Sequence, residues 1–352
     1  MILTVRSPGM LTTVQDLGRW GHQAIGVPVA GAMDPLALRA GNLALGNDPS
    51  AAALEITLIG PELECEGEGA VVVTGADLDA RLNDACMPPN VVFLLKSGDR
   101  ISFGGKGTGG ARAWICFSGG IDTPLVMGSR STYIRGGLGG YQGRALKKGD
   151  MISCGAPHIL WKRTAGFELP RLTDFFPPAD TTLRVMAGPQ DDMFTREGMQ
   201  TFLRSRYTVS AESDRMGCRL DGPKIEHSGE ADILSDAIAH GAIQVPGHGL
   251  PIIMLADRQT TGGYPKIATV ISADLPLLAQ MLPGLSLNFR LVDLEEAVQA
   301  AREVFGRLED IRILAAGYRS RPGRVNGPSP TAGRMRLTFE GRTWDVEWER
   351  DI

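Results

Sequence analysis

The chain has 352 residues, with 36 Lys and Arg against 40 Asp and Glu, so its net charge is -4 and is spread without a basic block or an acidic tail. That length suits two domains of about 150 residues plus a tail. The charge balance argues against nucleic acid or an anionic membrane as the main partner, while leaving room for a local basic pocket for a small anion.

The five cysteines, Cys65, Cys86, Cys116, Cys154 and Cys218, are widely spaced and form no C-x-x-C pair. That usage predicts reduced thiols in a reducing compartment and no zinc site. The N-terminal run reaches Arg6 and Pro8 too soon for a signal-peptide core, and no later apolar run approaches the ~18 residues of a membrane span. The expectation is a cytoplasmic protein.

In chain order, the first helix signal is Asp34-Pro35, a cap ahead of the apolar stripe Leu36, Ala40 and Leu43 that stops at Gly46. Short apolar runs then follow at Ala70–Thr74, Val91–Leu95, Ile101–Phe103 and Arg112–Phe117, bounded by glycine and Asn-Asp turns. Such runs read as strands of barrels or sandwiches. Gly105-Lys-Gly107-Thr-Gly109-Gly110 satisfies G-x-G-x-x-G but lies between two strand-like runs and opens no helix, so a glycine-rich hairpin is the better reading than a nucleotide loop.

Ser129 to Arg144 combines hydroxyls, flexible glycines and the arginines Arg130 and Arg135. It suits either recognition of a carboxylate or phosphate, or a glycine-rich turn with solvated arginines. Leu160 to Pro178 reads as an interdomain connector, with the boundary near residue 165. A second helix is expected after Gln190-Asp191-Asp192, a third from Asp274 to the Pro283-Gly284 stop, and a fourth from Asp293 to Arg307 with Asp293 and Glu296 as a capping pair. Tyr318 to Arg334 reads as a linker, and the remainder alternates around Gly341 as a hairpin does. That hairpin is similar to the opening strands of a biotinyl domain, but no Met-Lys-Met follows, so covalent biotin is not expected on this chain.

The sequence lacks G-x-x-x-x-G-K-[ST], G-x-S-x-G and H-E-x-x-H, and its five histidines show no ligand spacing, so a metal site is not expected. Its most informative stretch is Asp257-Arg258-Gln259-Thr260-Thr261-Gly262-Gly263-Tyr264-Pro265-Lys266, a loop between two apolar strands. A structural turn needs the glycines and proline but not that run of polar types, and loops held by a rigid scaffold are where chemistry sits. Gln244 is polar within an apolar strand and should face a pocket or satisfy a backbone group. Ser213-Asp214-Arg215 reads either as a site acid with its orienting Arg or as a surface ion pair closing a turn. It weakly echoes Asp16-Leu-Gly-Arg19.

Together and in order, Thr12 to Arg19, Gly26-Val-Pro, Gly31-Ala-Met-Asp34, Gly128 to Tyr133, Gly188-Pro-Gln190, Ser213 to Gly217, Gln244-Val-Pro246 and Asp257 to Lys266 resemble the biotin-dependent carboxyltransferase A/B family, also called allophanate hydrolase subunit 2. The resemblance covers about residues 1 to 290. It implies a mainly β fold with some α, built as two cyclophilin-like β-barrel domains over 1–165 and 166–310, with residues 311–352 as linker and hairpin.

It also implies a companion C/D-family subunit that completes the site. Family members act within urea carboxylase, or within 5-oxoprolinase, which opens 5-oxoproline to glutamate using ATP and includes the lactam-utilisation A subunit. A chain without a biotin carrier fits the 5-oxoprolinase complex better. ATP is then expected at the level of the complex. The alternatives are a urea carboxylase component, a regulatory protein antagonising a kinase inhibitor, and a binding barrel without chemistry. On the resemblance, Lys266, Arg215 and Arg258 are electrostatic clamps and Thr260, Thr261 and Tyr264 are donors. Asp214 or Asp257 takes the proton, and Gln244, Gln259, Arg130 and Arg135 complete substrate binding.

Overall fold

The computed structural model of the chain describes residues 1–104, 108–170, 180–321, 332–339 and 342–349. It is mainly β, with four α-helices among the described residues. The first half forms two sheets. One runs in the order Met151–Ser153, Ile2–Ser7, Glu62–Glu66, Arg100–Phe103, Ala80–Leu82, Ala85–Cys86; the other runs Leu11–Gln15, Ala53–Thr57, Thr108–Phe117, Gly69–Asp77, Phe93–Leu95. Their inner faces supply a core that includes Leu3, Val14, Leu54, Val71, Ile115 and Phe117.

The second half closes into a seven-stranded barrel: Asp180–Ala187, Lys266–Val270, Ala242–Gln244, Ile252–Met254, Gly217–Asp221, Tyr207–Val209, Ser286–Leu291. Closure comes from the parallel pairing of Asp180–Val185 with Ser286–Leu291, which leaves no free edge in the ring. Its core holds Leu183, Val185, Tyr207, Ile243, Ile253, Ile267 and Phe289, and Met33 of the first half also packs into it.

Helix α1 spans Pro35–Leu45. Its start follows from Asp34, whose carboxylate accepts from the Ala37 N–H at 2.9 Å, and its end from Gly46 in the left-handed region at φ 76°. Helices α2 (Arg196–Arg204) and α3 (Leu275–Ala279) are short and flank the barrel. Helix α4 (Leu294–Ser320) is capped by Asp293, which accepts from the Glu296 N–H at 2.9 Å, but it runs well past the expected end at Arg307. The stripe Leu308, Ile311 and Ala315 buries against α1 and Trp114, so packing extends the helix. Tyr318 therefore ends a helix rather than starting a linker. Its hydroxyl donates to the Ala165 carbonyl at 2.8 Å and its ring meets Phe167 edge-on at 5.2 Å.

Phe167 and Leu169 are buried beside that helix, so the connector up to residue 170 packs firmly; the stretch from 171 to Pro178 lies outside the described residues. The glycine-rich segment is a second difference. Its residues 105–107 lie outside the described residues, and the flanking strands Arg100–Phe103 and Thr108–Phe117 belong to different sheets and do not pair with each other. The strand pair Ala332–Phe339 and Arg342–Glu349 forms the expected C-terminal hairpin; its turn at Gly341 and most of the preceding linker are not described. No helix among the described residues is long and apolar enough to cross a membrane.

Candidate functional site

The Asp257–Lys266 loop gathers most of the polar residues singled out in the sequence, and it joins two strands that run parallel in the barrel, both antiparallel to Ala242–Gln244. The loop from Asp257 leaves the strand Ile252–Met254 and returns at Lys266, the first residue of the strand Lys266–Val270. On the way, Thr261–Gly262 pairs with Asp236–Ala237 to make a two-stranded ribbon. Gln244 faces Lys266 in the ladder register of the neighbouring strand, beside a β-bulge.

Lys266 is 3% exposed. Its ammonium donates to the Asp236 carboxylate at 2.7 Å and to the Ala237 carbonyl at 3.3 Å, so the ribbon holds it from above. That hydrogen bond lowers the pKa of Asp236. The backbone N–H of Lys266 donates to the Gln190 side chain at 3.2 Å, tying in the Gly188-Pro-Gln190 motif. Gln244 is buried and its amide donates to the Tyr264 carbonyl at 3.2 Å, which satisfies the polar group its strand position had flagged. A Cβ at Gly262 would sit 2.6 Å from Ile238 Cδ1 and 2.8 Å from the Gln244 amide nitrogen, so a side chain there would displace these two.

At the root of the loop lies a buried ion cluster. Arg215 donates to Asp257 through Nε at 3.1 Å and Nη2 at 3.0 Å, to the Gly31 carbonyl at 2.6 Å, and through Nη1 to Glu55. Glu55 also accepts from the Met33 N–H at 2.9 Å. Burial disfavours the charged guanidinium, but the two carboxylates outweigh burial and hold Arg215 more firmly protonated than an ordinary arginine. Glu55 and Gly31 come from the first half, so this cluster fastens the two halves at the loop's base.

Arg258 is also buried, donating to the carbonyls of Ile238 at 3.0 Å and Leu255 at 3.2 Å, and burial lowers its pKa to about 10. The neighbouring His240 is pushed down to about 3 by burial and by the charges of Arg258 and Arg215, so its ring is neutral at pH 7. Gln259 and Thr260 are half-buried, Thr261 and Tyr264 exposed.

The other expected residues stand apart. Asp214 is exposed; it closes its turn by accepting from the N–H groups of Met216 at 2.8 Å and Gly217 at 3.1 Å, and pairs at 3.2 Å with the exposed Arg135. Arg215, the next residue, points inward to the cluster. Arg130 donates its backbone N–H to Asp16 at 2.6 Å and pairs through its side chain with Asp122 at 2.7 Å. Asp16 accepts also from Gly18 and the hydroxyls of Ser129 and Ser131, so the Thr12–Arg19 and Gly128–Tyr133 motifs form one knot in the first half. The echo between Asp16 and Asp214 is a shared turn in which each carboxylate accepts from the N–H two residues on. A groove of about 430 Å³ opens beside that knot, lined by Asp122, Tyr141, Gln142 and glycines, and none of Asp257 to Lys266 borders it.

Sequence reasoning missed Glu55 and Asp236. Glu55 carried a signal, a charged residue in the middle of the apolar strand Ala53–Thr57. Asp236 carried none.

Comparison with known proteins agrees with this architecture. Residues 25–291 match the family model of the carboxyltransferase domain, subdomain A and B. The chain is 38% identical over 313 residues to the C subunit of 5-oxoprolinase from Escherichia coli, covering 86% of this chain and 95% of that one. It is 35% identical to urea amidolyase of Lachancea kluyveri, covering 84% of this chain and 17% of that one. The crystal structure of the K. lactis urea amidolyase superposes with a TM-score of 0.81 at 32% identity, over 88% of this chain and 20% of that chain. With three quarters of its length inside the family model and the same fold, the chain belongs to the carboxyltransferase subdomain A and B family.

Proposed function

We propose that this chain is the C subunit of a 5-oxoprolinase, a cytoplasmic hydrolase that opens the lactam of 5-oxoproline to glutamate with ATP. In this reading it works together with two companions, a C/D-family subunit that shares the site and the lactam-utilisation A subunit. The observation that carries the reading is the similarity to an E. coli chain of that name over 95% of that chain's length.

Opening a lactam places negative charge on the carbonyl oxygen, and a fixed cation in a water-poor setting stabilises that charge. Lys266 is such a group, fixed by Asp236 and the Ala237 carbonyl at the barrel's end. Thr260, Thr261 and Tyr264 line the same loop as hydrogen-bond donors. Asp257, tied twice to Arg215, sets the root of the loop. ATP does not fit the glycine-rich segment of this chain, because Thr108 onward continues as a strand and offers no helix N-terminus to phosphate. ATP in this reading binds at the level of the complex, either unconventionally or on a partner chain.

A second reading, carboxyl transfer to urea, is favoured by the likeness to urea amidolyase. The substrate separates the two. Mixing the purified chain with its companion subunits should give ATP-dependent loss of 5-oxoproline, with no turnover of urea and none by the chain alone. Robust turnover by the chain alone, or urea consumption in place of 5-oxoproline cleavage, would overturn the proposal.

A further inference from the structure

Three buried cations belong to the Asp257–Lys266 loop or its contacts, and the structure pairs them unequally. Arg215 has two carboxylates, Glu55 and Asp257. Lys266 has one, Asp236. Arg258, only 6% exposed, has none among the described residues: its two hydrogen bonds go to the neutral carbonyls of Ile238 and Leu255. Its Nη2 has no hydrogen-bond partner among the described residues.

A buried cation without a counter-ion is costly, and proteins rarely keep one unless something completes it. Two carbonyl dipoles orient the guanidinium but leave its charge uncompensated. His240 cannot compensate it, because a neutral imidazole carries no negative charge. The position is also specific. Ile238 accepts from Arg258, and the preceding residue, Ala237, accepts from Lys266, so successive carbonyls of one chain segment hold the two cations. The ribbon continues into the loop, since the Ile238 N–H donates to the Thr260 carbonyl at 3.1 Å.

We propose that Arg258 is the receptor for a carboxylate on the substrate, so that this site selects an anionic amide over a neutral one such as urea. This rests on the reading of the Asp257–Lys266 loop as the site. It divides the labour between the cations: Arg215 fastens the loop, Lys266 faces the reacting carbonyl, and Arg258 takes the remote anion. A guanidinium with free N–H groups suits a carboxylate better than an ammonium does, because it donates in a planar fork.

The test is equilibrium binding by calorimetry, on the chain alone and with its companion subunits, using 5-oxoproline, its neutral carboxamide, propionate and urea as probes. A charge-assisted contact of this kind is worth about 10- to 100-fold in affinity. The acid should therefore bind that much more tightly than its carboxamide. Arg258→Met should remove the difference between acid and carboxamide, and Arg258→Lys should restore part of it.

Equal affinity for acid and carboxamide in the natural protein overturns the inference, as does a preference for the acid that survives in both variants. Failure of 5-oxoproline and propionate to bind in any of these samples also overturns it. If the complex leaves 5-oxoproline intact but propionate binds through Arg258, the proposed function falls and the carboxylate receptor stands. If the complex cleaves 5-oxoproline and Arg258→Met discriminates acid from carboxamide as before, the function stands and the receptor falls.

Discussion

Replacing Arg215 with Met tests whether the buried cluster fastens the two halves. The substitution keeps much of the apolar stem and deletes the cation bonded to both Glu55 and Asp257, whose side chains are 1% and 7% exposed. The two carboxylates would then lose their hydrogen-bonded cation and keep only the more distant charges of Arg112 and Arg19, and breaking a buried pair by removing one partner costs ~3–5 kcal/mol. The lost bond to the Gly31 carbonyl adds to that. For a chain of this size, with an unfolding entropy near 2.1 cal/mol/K per residue, ~4 kcal/mol corresponds to a fall in Tm of about 5 °C.

Chemical denaturation across a pH series gives the decisive signature. The orphaned carboxylates regain neutrality by taking up protons, so the penalty should shrink as pH falls from 7.5 to 5. Adding Glu55→Gln and Asp257→Asn to Arg215→Met should recover roughly half of the loss. A loss below ~1 kcal/mol, or one that ignores both pH and the neutralising substitutions, would refute the reasoning.

Other outcomes follow from the same geometry. His240 has its pKa depressed from 6.5 to about 3, so its contribution to stability is complete above pH 6.5 and is lost as pH falls toward 3. Its ring is half-buried, which limits the effect, and His240→Gln should remove about 2 kcal/mol of the acid destabilisation measured between pH 6.5 and 4.5. Asp214→Asn should change stability by less than ~1 kcal/mol and leave turnover of the assembled complex intact, because its ion pair with Arg135 is exposed on both sides; a large rate loss would return Asp214 to the site. Tyr318→Ala removes the contact with Phe167 and the bond to the Ala165 carbonyl, and should cost ~3 kcal/mol in thermal denaturation.

Much of this was legible in the sequence where the cause is local. Asp34-Pro35 and Gly46 mark α1 because caps act through their own neighbours, and the Asp257–Lys266 loop stands out because its polar types exceed what a turn requires. Asp293 marks the start of α4 equally well, but its end at Ser320 depends on α1 and Trp114, which packing alone brings to it. The arrangement of the first half as two sheets depends on which strands pair, and the glycine-rich segment reads as a hairpin until its flanking strands prove to lie in different sheets.

The site divides in the same way. Asp214 and Arg215 are adjacent in sequence, yet one lies on the surface and the other reaches Glu55, 160 residues away. Long-range partners such as Glu55 and Asp236 are chosen by the fold, so the sequence displays the loop and hides what holds it.

The central claim is that the Asp257–Lys266 loop carries chemistry through the Lys266 ammonium, and the rate of Lys266→Met in the assembled complex tests it most directly. The exchange keeps most of the apolar stem, frees Asp236 to solvent and removes one bond to the Ala237 carbonyl. Stability should fall by only ~1–2 kcal/mol, about 2 °C in Tm. Loss of a contact to the developing oxyanion should lower the rate of ATP-dependent 5-oxoproline cleavage by on the order of a hundredfold or more. A folded Lys266→Met complex that turns over at the natural rate would contradict the account.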